Sequence, residues 1–176
     1  MSSLALVSIL GRDRVGLVAA VADHLFDAGV NLRDASFATL GTGAEFIALC
    51  ELPTDVTAPE IEAGLASLPE LEGAQVRATP YSFDPEPAAA GQVTHRITVS
   101  GGDQLGLVAR LADVFRQYQA NLVRLEARKL PDAEGGLYVT RFAVSVGPAQ
   151  ESACLATVTN TAGSLGLSCT IEQSRL

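Results

Sequence analysis

The sequence predicts an α+β protein made of two similar units in tandem, each with strands and helices in the order βαββαβ. Three observations carry that expectation. Residues 11–23 read GRDRVGLVAAVAD and residues 101–113 read GGDQLGLVARLAD, so a G-x-D-x-x-G-L-V-A-x-x-A-D pattern recurs at a constant offset of 90. The register holds without a gap to Asn31-Leu32 and Asn121-Leu122, with ten of twenty-two positions identical across the two copies. Between the copies lies FDPEPAAAGQ, a stretch rich in Pro, Ala and Gly that reads as a linker. The expected division is therefore 1–82, a linker at 83–91, and 92–176.

Each copy opens on a strand, Leu4–Leu10 or Val93–Ser100. In the second, Val93, His95, Ile97 and Val99 alternate with Thr94, Arg96, Thr98 and Ser100. A helix follows, with Asp13 or Asp103 placed to cap it. Its apolar positions are Leu17, Val18, Val21, Leu25 and Ala28 in one copy and Leu107, Val108, Leu111, Phe115 and Tyr118 in the other. That spacing lays one helix face on a sheet. Gly29 supplies a left-handed residue that ends the first helix; the second copy has Gln119 there and is expected to end otherwise. Two strands come next, Asn31–Leu40 and Ala44–Leu52, joined by the turn Gly41-Thr42-Gly43. Their counterparts, Asn121–Leu130 and Leu137–Val146, are joined by the longer PDAEGG loop. A second helix fits Ala58–Leu68 and Ala149–Gly163, and a last strand fits Ala74–Tyr81 and Leu167–Gln173. This order defines a ferredoxin-like sandwich, two helices on one face of a four-stranded antiparallel sheet.

Composition narrows the function classes. Apolar residues make up 48% and charged residues 18% of the 176, as in a globular protein. No apolar run approaches the roughly 18 residues of a membrane span. The start, MSSLALVSILGRDR, reads as carrying no secretory signal. The three cysteines are scattered with no C-x-x-C, which points to a reduced, cytoplasmic protein without a disulfide framework or zinc site. The net charge of −8 argues against a direct nucleic-acid surface. Residues 1–90 hold four basic and thirteen acidic groups, and residues 91–176 eight and seven. The acidic half suits a solubilising surface or a basic protein partner.

The G-x-D-x-x-G segment sits where the dinucleotide-binding fingerprint would lie, at the passage from strand to helix. Its middle glycine is replaced by Asp13 or Asp103, which sets a carboxylate where backbone must approach a pyrophosphate, and the next two strands form a hairpin instead of a crossover. Those grounds argue against nucleotide binding. No nucleophile stands beside a plausible base, so no enzyme activity is expected. His24 and His95 belong to no metal-ligand spacing, and Cys50 and Cys154 read as buried small hydrophobes. No cofactor or metal is expected. Arg124, Glu126 and Arg128 share one strand face beside Lys129, a ladder that is either solvated or turned toward an acidic partner.

What remains is a helix N-terminus, whose amides attract a carboxylate. Asp13 or Asp103, with Asn31 or Asn121, could accept from an ammonium. The Asn lies about a helix length from the turn of its own unit, so the two sets could meet only across an interface between units.

The G-x-D-x-x-G-L turn, the amphipathic helix, the Asn-Leu strand start and the βαββαβ order resemble ACT domains over about 1–82 and 92–176. A pair of them resembles the glycine cleavage system transcriptional repressor family. The resemblance implies two ACT domains packed as a pseudo-dimer, with amino-acid sites at the domain–domain interface. One site would set Asp13, Arg14, Val15, Gly16 and Leu17 against Asn121 and Leu122. The reciprocal site would set Asp103, Gln104, Leu105, Gly106 and Leu107 against Asn31 and Leu32. The second copy departs at Gln104, which lacks the fixed charge of Arg14. It further implies a non-catalytic regulator that binds a small amino acid, glycine or serine-like, and modulates a protein partner, a DNA-binding regulator or a metabolic enzyme. The apolar run AEFIALCEL suggests a sheet covered on both faces, and hence a homodimer. Each site residue also has a purely structural reading. The Asp residues would cap helices, Gly16 and Gly106 would allow close packing of helix on strand, Asn31 and Asn121 would satisfy a turn, and Arg14 would be a surface charge. The alternatives to an amino-acid sensor are a regulatory subunit acting in trans on an enzyme and a ligand-free interaction scaffold.

Overall fold

A computed structural model describes residues 3–86, 91–102, 104–130 and 136–174. Asp103, residues 131–135 of the PDAEGG loop and residues 87–90 of the expected linker lie outside the described residues. The chain divides into two compact units, Met1–Phe83 and Asp84–Leu176.

The first unit runs β1 (Ser3–Arg12), α1 (Leu17–Asp27), β2 (Asn31–Leu40), β3 (Gly43–Leu52), α2 (Ala58–Ala66) and β4 (Gln75–Pro80), with a 3-10 turn at Pro69–Leu71. The second runs β5 (His95–Gly101), α3 (Leu107–Gln117), β6 (Asn121–Leu130), β7 (Leu137–Ser145), α4 (Glu151–Ser164) and β8 (Ser168–Gln173). Each sheet is antiparallel, in the orders β2-β3-β1-β4 and β6-β7-β5-β8. Two ferredoxin-like βαββαβ sandwiches in tandem are therefore what the chain forms.

Alternation along the central strands builds the cores. In the first unit Ala5, Val7 and Ile9 of β1 and Ala44, Phe46, Ala48, Cys50 and Leu52 of β3 share one cluster with Leu17, Val21 and Leu25 of α1 and Ile61 and Leu65 of α2. Both helices thus cover the same sheet face. In the second unit Phe115 of α3 meets Phe142 of β7 edge to face, ring centroids 5.4 Å apart. Val18 was expected on the buried helix face but is 40% exposed, because the i, i+4, i+8 set Leu17, Val21 and Leu25 fills the contact with the sheet by itself. Val114, outside the expected set, is buried beside Phe115.

Helix ends follow local chemistry. α2 starts in a capping box, the Glu60 carboxylate accepting from the Thr57 amide at 2.8 Å and its hydroxyl at 2.7 Å. α1 ends in a Schellman motif, with Gly29 at φ 69° and the Val30 amide donating to the Leu25 carbonyl at 2.9 Å. The second copy was expected to end differently, and it does not. Gln119 takes the left-handed conformation at φ 55°, and the Ala120 amide donates to the Phe115 carbonyl at 2.9 Å. The two bonds that close the motif outweigh the steric cost to a residue with a Cβ.

Candidate functional site

The passage from β1 to α1 is built by two glycines with different jobs. Gly11 pairs with Ala44 at the end of β1, and a Cβ there would come within 2.7 Å of the Ala74 Cβ at the entry to β4. Its counterpart Gly101 faces Leu167 in the same place before β8. The first glycine of the motif therefore allows the last strand to approach. The second, Gly16 or Gly106, has open space around it and sits at φ 90° or 81° as the residue before the helix. It turns the chain through a conformation that side chains disfavour; it does not permit close packing, as its structural reading had it.

This geometry removes the expected cap. The helix begins at Leu17 behind Gly16, with no side-chain cap, so Asp13 lies too far upstream to bond the first turn. Its backbone amide instead donates to the Thr42 carbonyl of the β2–β3 turn at 3.0 Å. Arg14 is not a loose surface charge. Its guanidinium donates to the carbonyls of Pro69 at 3.2 Å and Glu72 at 3.4 Å, which ties the turn to the segment before β4. Val15 is left at the tip, fully exposed (105%), and Leu105 occupies the matching position at 100%. Gln104 is exposed, while Leu17 and Leu107 point inward as members of the two cores.

Asn31 and Asn121 open β2 and β6, at the opposite sheet end from the turns. Leu40 pairs with Gly43 beside Arg12, whereas Asn31 pairs with Glu51, nine strand residues or roughly 30 Å away. Within one unit the turn and the Asn are not brought together. Asn31 donates to Glu51 Oε2 at 3.2 Å, and Arg33 to Glu51 Oε1 at 2.9 Å. Those two bonds, Asn31 first, hold the Glu51 carboxyl below the usual range. Leu32 is exposed and Leu122 packs against the second core. Asn121 pairs with Ser145. Arg33 and Glu51 were not expected at this end of the sheet. A bulge between Leu32 and Asp34, repeated between Leu122 and Arg124, shifts the register and brings Glu51 opposite Asn31.

Other reactive groups are engaged or buried. His95 is 3% exposed, its Nδ1 3.0 Å from Thr94 Oγ1 and its Nε2 3.5 Å from Glu151 Oε1. His24 stands against Gly64, between α1 and α2. Burial pushes the Cys50 thiol up to about 11 and raises Cys154 and Cys169 as well. Among the described residues no group of three or more His, Cys, Asp and Glu side chains is placed to hold a metal ion. None of the described helices is long and apolar enough to cross a membrane.

Each of the two ferredoxin-like sandwiches thus carries a turn with a left-handed glycine and an apolar tip. Residues 3–79 match the ACT domain family, and the second unit repeats the strand order of the first. No curated protein matches it. A protein of unknown function from Galdieria sulphuraria superimposes with a TM-score of 0.79 at 24% identity, over 99% of this chain and 100% of that one. A candidate glycine cleavage system transcriptional repressor superimposes with a TM-score of 0.71 at 17% identity, over 100% of this chain and 99% of the other. At these identities the likeness concerns the fold of the whole chain.

Proposed function

We propose that this chain is a non-catalytic regulator that binds a small amino acid, glycine or serine-like, where its two ACT domains meet as a pseudo-dimer. Asp13, Arg14, Val15 and Gly16 would face Asn121 and Leu122 in one site. Asp103, Gln104, Leu105 and Gly106 would face Asn31 and Leu32 in the other. Occupancy would bias domain packing and, through it, a protein partner, either a DNA-binding regulator or an enzyme of amino-acid metabolism. An effector acts by its differential affinity for two states, and a coupling of about 1–3 kcal/mol changes partner affinity roughly 5–150-fold. The working form would be a cytoplasmic homodimer.

The observation that carries this reading is the matched pair of apolar tips. Val15 and Leu105 stand fully in water, at equivalent positions, on turns whose glycines fix the backbone. A single exposed apolar residue is ordinary, but its recurrence at the same turn position in both units favours contact with something outside the unit. The fold of the candidate repressor supports the choice of ligand class, since that protein's name joins glycine metabolism to transcription.

The test is thermal unfolding of the full chain against the twenty amino acids at millimolar concentration. A ligand at 100 times its Kd stabilises by about 2.7 kcal/mol, roughly 5–11 °C for a chain of this size. A selective shift is expected, lost in Asp13→Ala and Asn121→Ala. Asp13→Ala is informative because the Asp13 side chain does not cap the helix, so its loss leaves α1 intact. A flat panel on folded protein would overturn the sensor and leave a ligand-free scaffold.

A further inference from the structure

The open face of the second sheet holds a charged groove that the amino-acid reading does not use. Across the strands, Arg124 lies opposite Ala143, Ala143 opposite Arg96, and Arg96 opposite Glu172. One row along, Glu126 lies opposite Arg141 and Arg141 opposite Thr98. These side chains alternate with Ile97, Phe142 and Val144, which face the helices, so the row belongs to the other face. Together they line a groove of about 300 Å³. Ala143, 6% exposed, is its floor.

The shape follows from one small residue among long ones. Strand spacing sets the backbones of Arg124 and Arg96 about 10 Å apart on either side of Ala143, with Arg141 about 7 Å along the same strand. A methyl group in the middle leaves the space that a longer side chain would fill. Among the described residues, none of Arg96, Arg124, Arg141, Glu126 and Glu172 is ion-paired with another, although opposite charges face each other across the ladder.

We propose that this groove binds a small multivalent anion carrying carboxylate or phosphate groups. Three guanidiniums outnumber two carboxylates in the lining, and the planar fork of Arg matches the paired oxygens of either group. Glu126 and Glu172 sit beside Arg141 and Arg96, so a single anionic oxygen gains little. A ligand with several, spanning two or three of the arginines, gains most. The volume is at the small end of ligand pockets, suited to a tricarboxylate or a simple phosphate and too small for a dinucleotide.

The experiment is titration calorimetry of the full chain with citrate, inorganic phosphate and a Glu-rich peptide, ionic strength being held constant with sodium chloride. Saturable binding of citrate or phosphate is expected, and the tighter of the two identifies the group recognised. Arg124→Gln and Arg141→Gln should weaken it at least about ten-fold, the scale of one lost charge-assisted contact. Arg110→Gln, at an exposed position of α3 outside the groove, should bind as the parent does. Circular dichroism confirms that each variant is folded. Absence of saturable binding, or equal binding by both groove variants, overturns the proposal. So does a peptide that binds tightly through the same arginines while citrate and phosphate do not, which would make the face a protein-docking surface.

Discussion

Gly11→Ala places a methyl group where the entry to β4 already stands. The new Cβ would lie 2.7 Å from the Ala74 Cβ and 3.3 Å from its Cα, well inside contact distance. Neither neighbour is the flexible end of a long side chain, so backbone must move, and overpacking of this kind costs about 1–3 kcal/mol. Ala74→Gly alone loses one partly buried methyl and gains unfolded-state freedom, together about 1–2 kcal/mol. Without coupling, the double variant would be destabilised by about 2–5 kcal/mol. Removal of the Ala74 Cβ relieves the worse contact, so the pair should be no less stable than Ala74→Gly alone, a coupling of about 1–3 kcal/mol. Urea denaturation of the four proteins in the cycle, followed by far-ultraviolet circular dichroism, measures it. Additivity within about 0.5 kcal/mol would refute the claim that the first glycine of the motif exists for close approach. Gly101→Ala should cost at least as much as Gly11→Ala, since it meets the buried Leu167 and also forces a side chain onto a backbone at φ 156°.

Other expectations follow from the same geometry. Gly16→Ala and Gly106→Ala should each destabilise by about 1 kcal/mol through backbone conformation alone, with Asn tolerated better than Ala, as thermal melts would show. Gln119→Gly should raise stability by about 0.5 kcal/mol and Gly29→Ala should lower it by about 1 kcal/mol, because each position needs a left-handed residue. The Glu60 carboxyl is held below its ordinary value chiefly by the Thr57 hydroxyl, then by the Thr57 amide. Its contribution is complete above the ordinary value of about 4.3 and is lost as pH falls through the lower folded value. The melting-temperature gap between the parent and Glu60→Gln should therefore be present at pH 7 and close under acid. In a thiol titration at pH 8, Cys169, the least buried cysteine, should react first. Cys50, pushed up to about 11, should react upon unfolding.

Much of the architecture is legible from the chain alone, because it rests on short-range rules. The repeat at offset 90 and the alternation of His95, Ile97 and Val99 define the elements and their inward faces. So does the Gly41-Thr42 turn, where Leu40 pairs with Gly43. Gly29 announces the end of α1, since a left-handed residue is a local requirement. Tertiary structure decided what depends on register and on neighbours distant in sequence. A hairpin extended from its turn without interruption would set Asn31 opposite Leu52; the bulge at Arg33 moves it to Glu51 and creates the Asn31–Arg33–Glu51 cluster. The two glycines of one motif look alike in sequence and differ in reason, because one meets Ala74, 63 positions away, and the other meets nothing. Arg14 finds its acceptors at Pro69 and Glu72, and the arginine groove gathers residues from four strands. Periodicity reports which face a side chain takes; only the folded sheet reports which side chains share it.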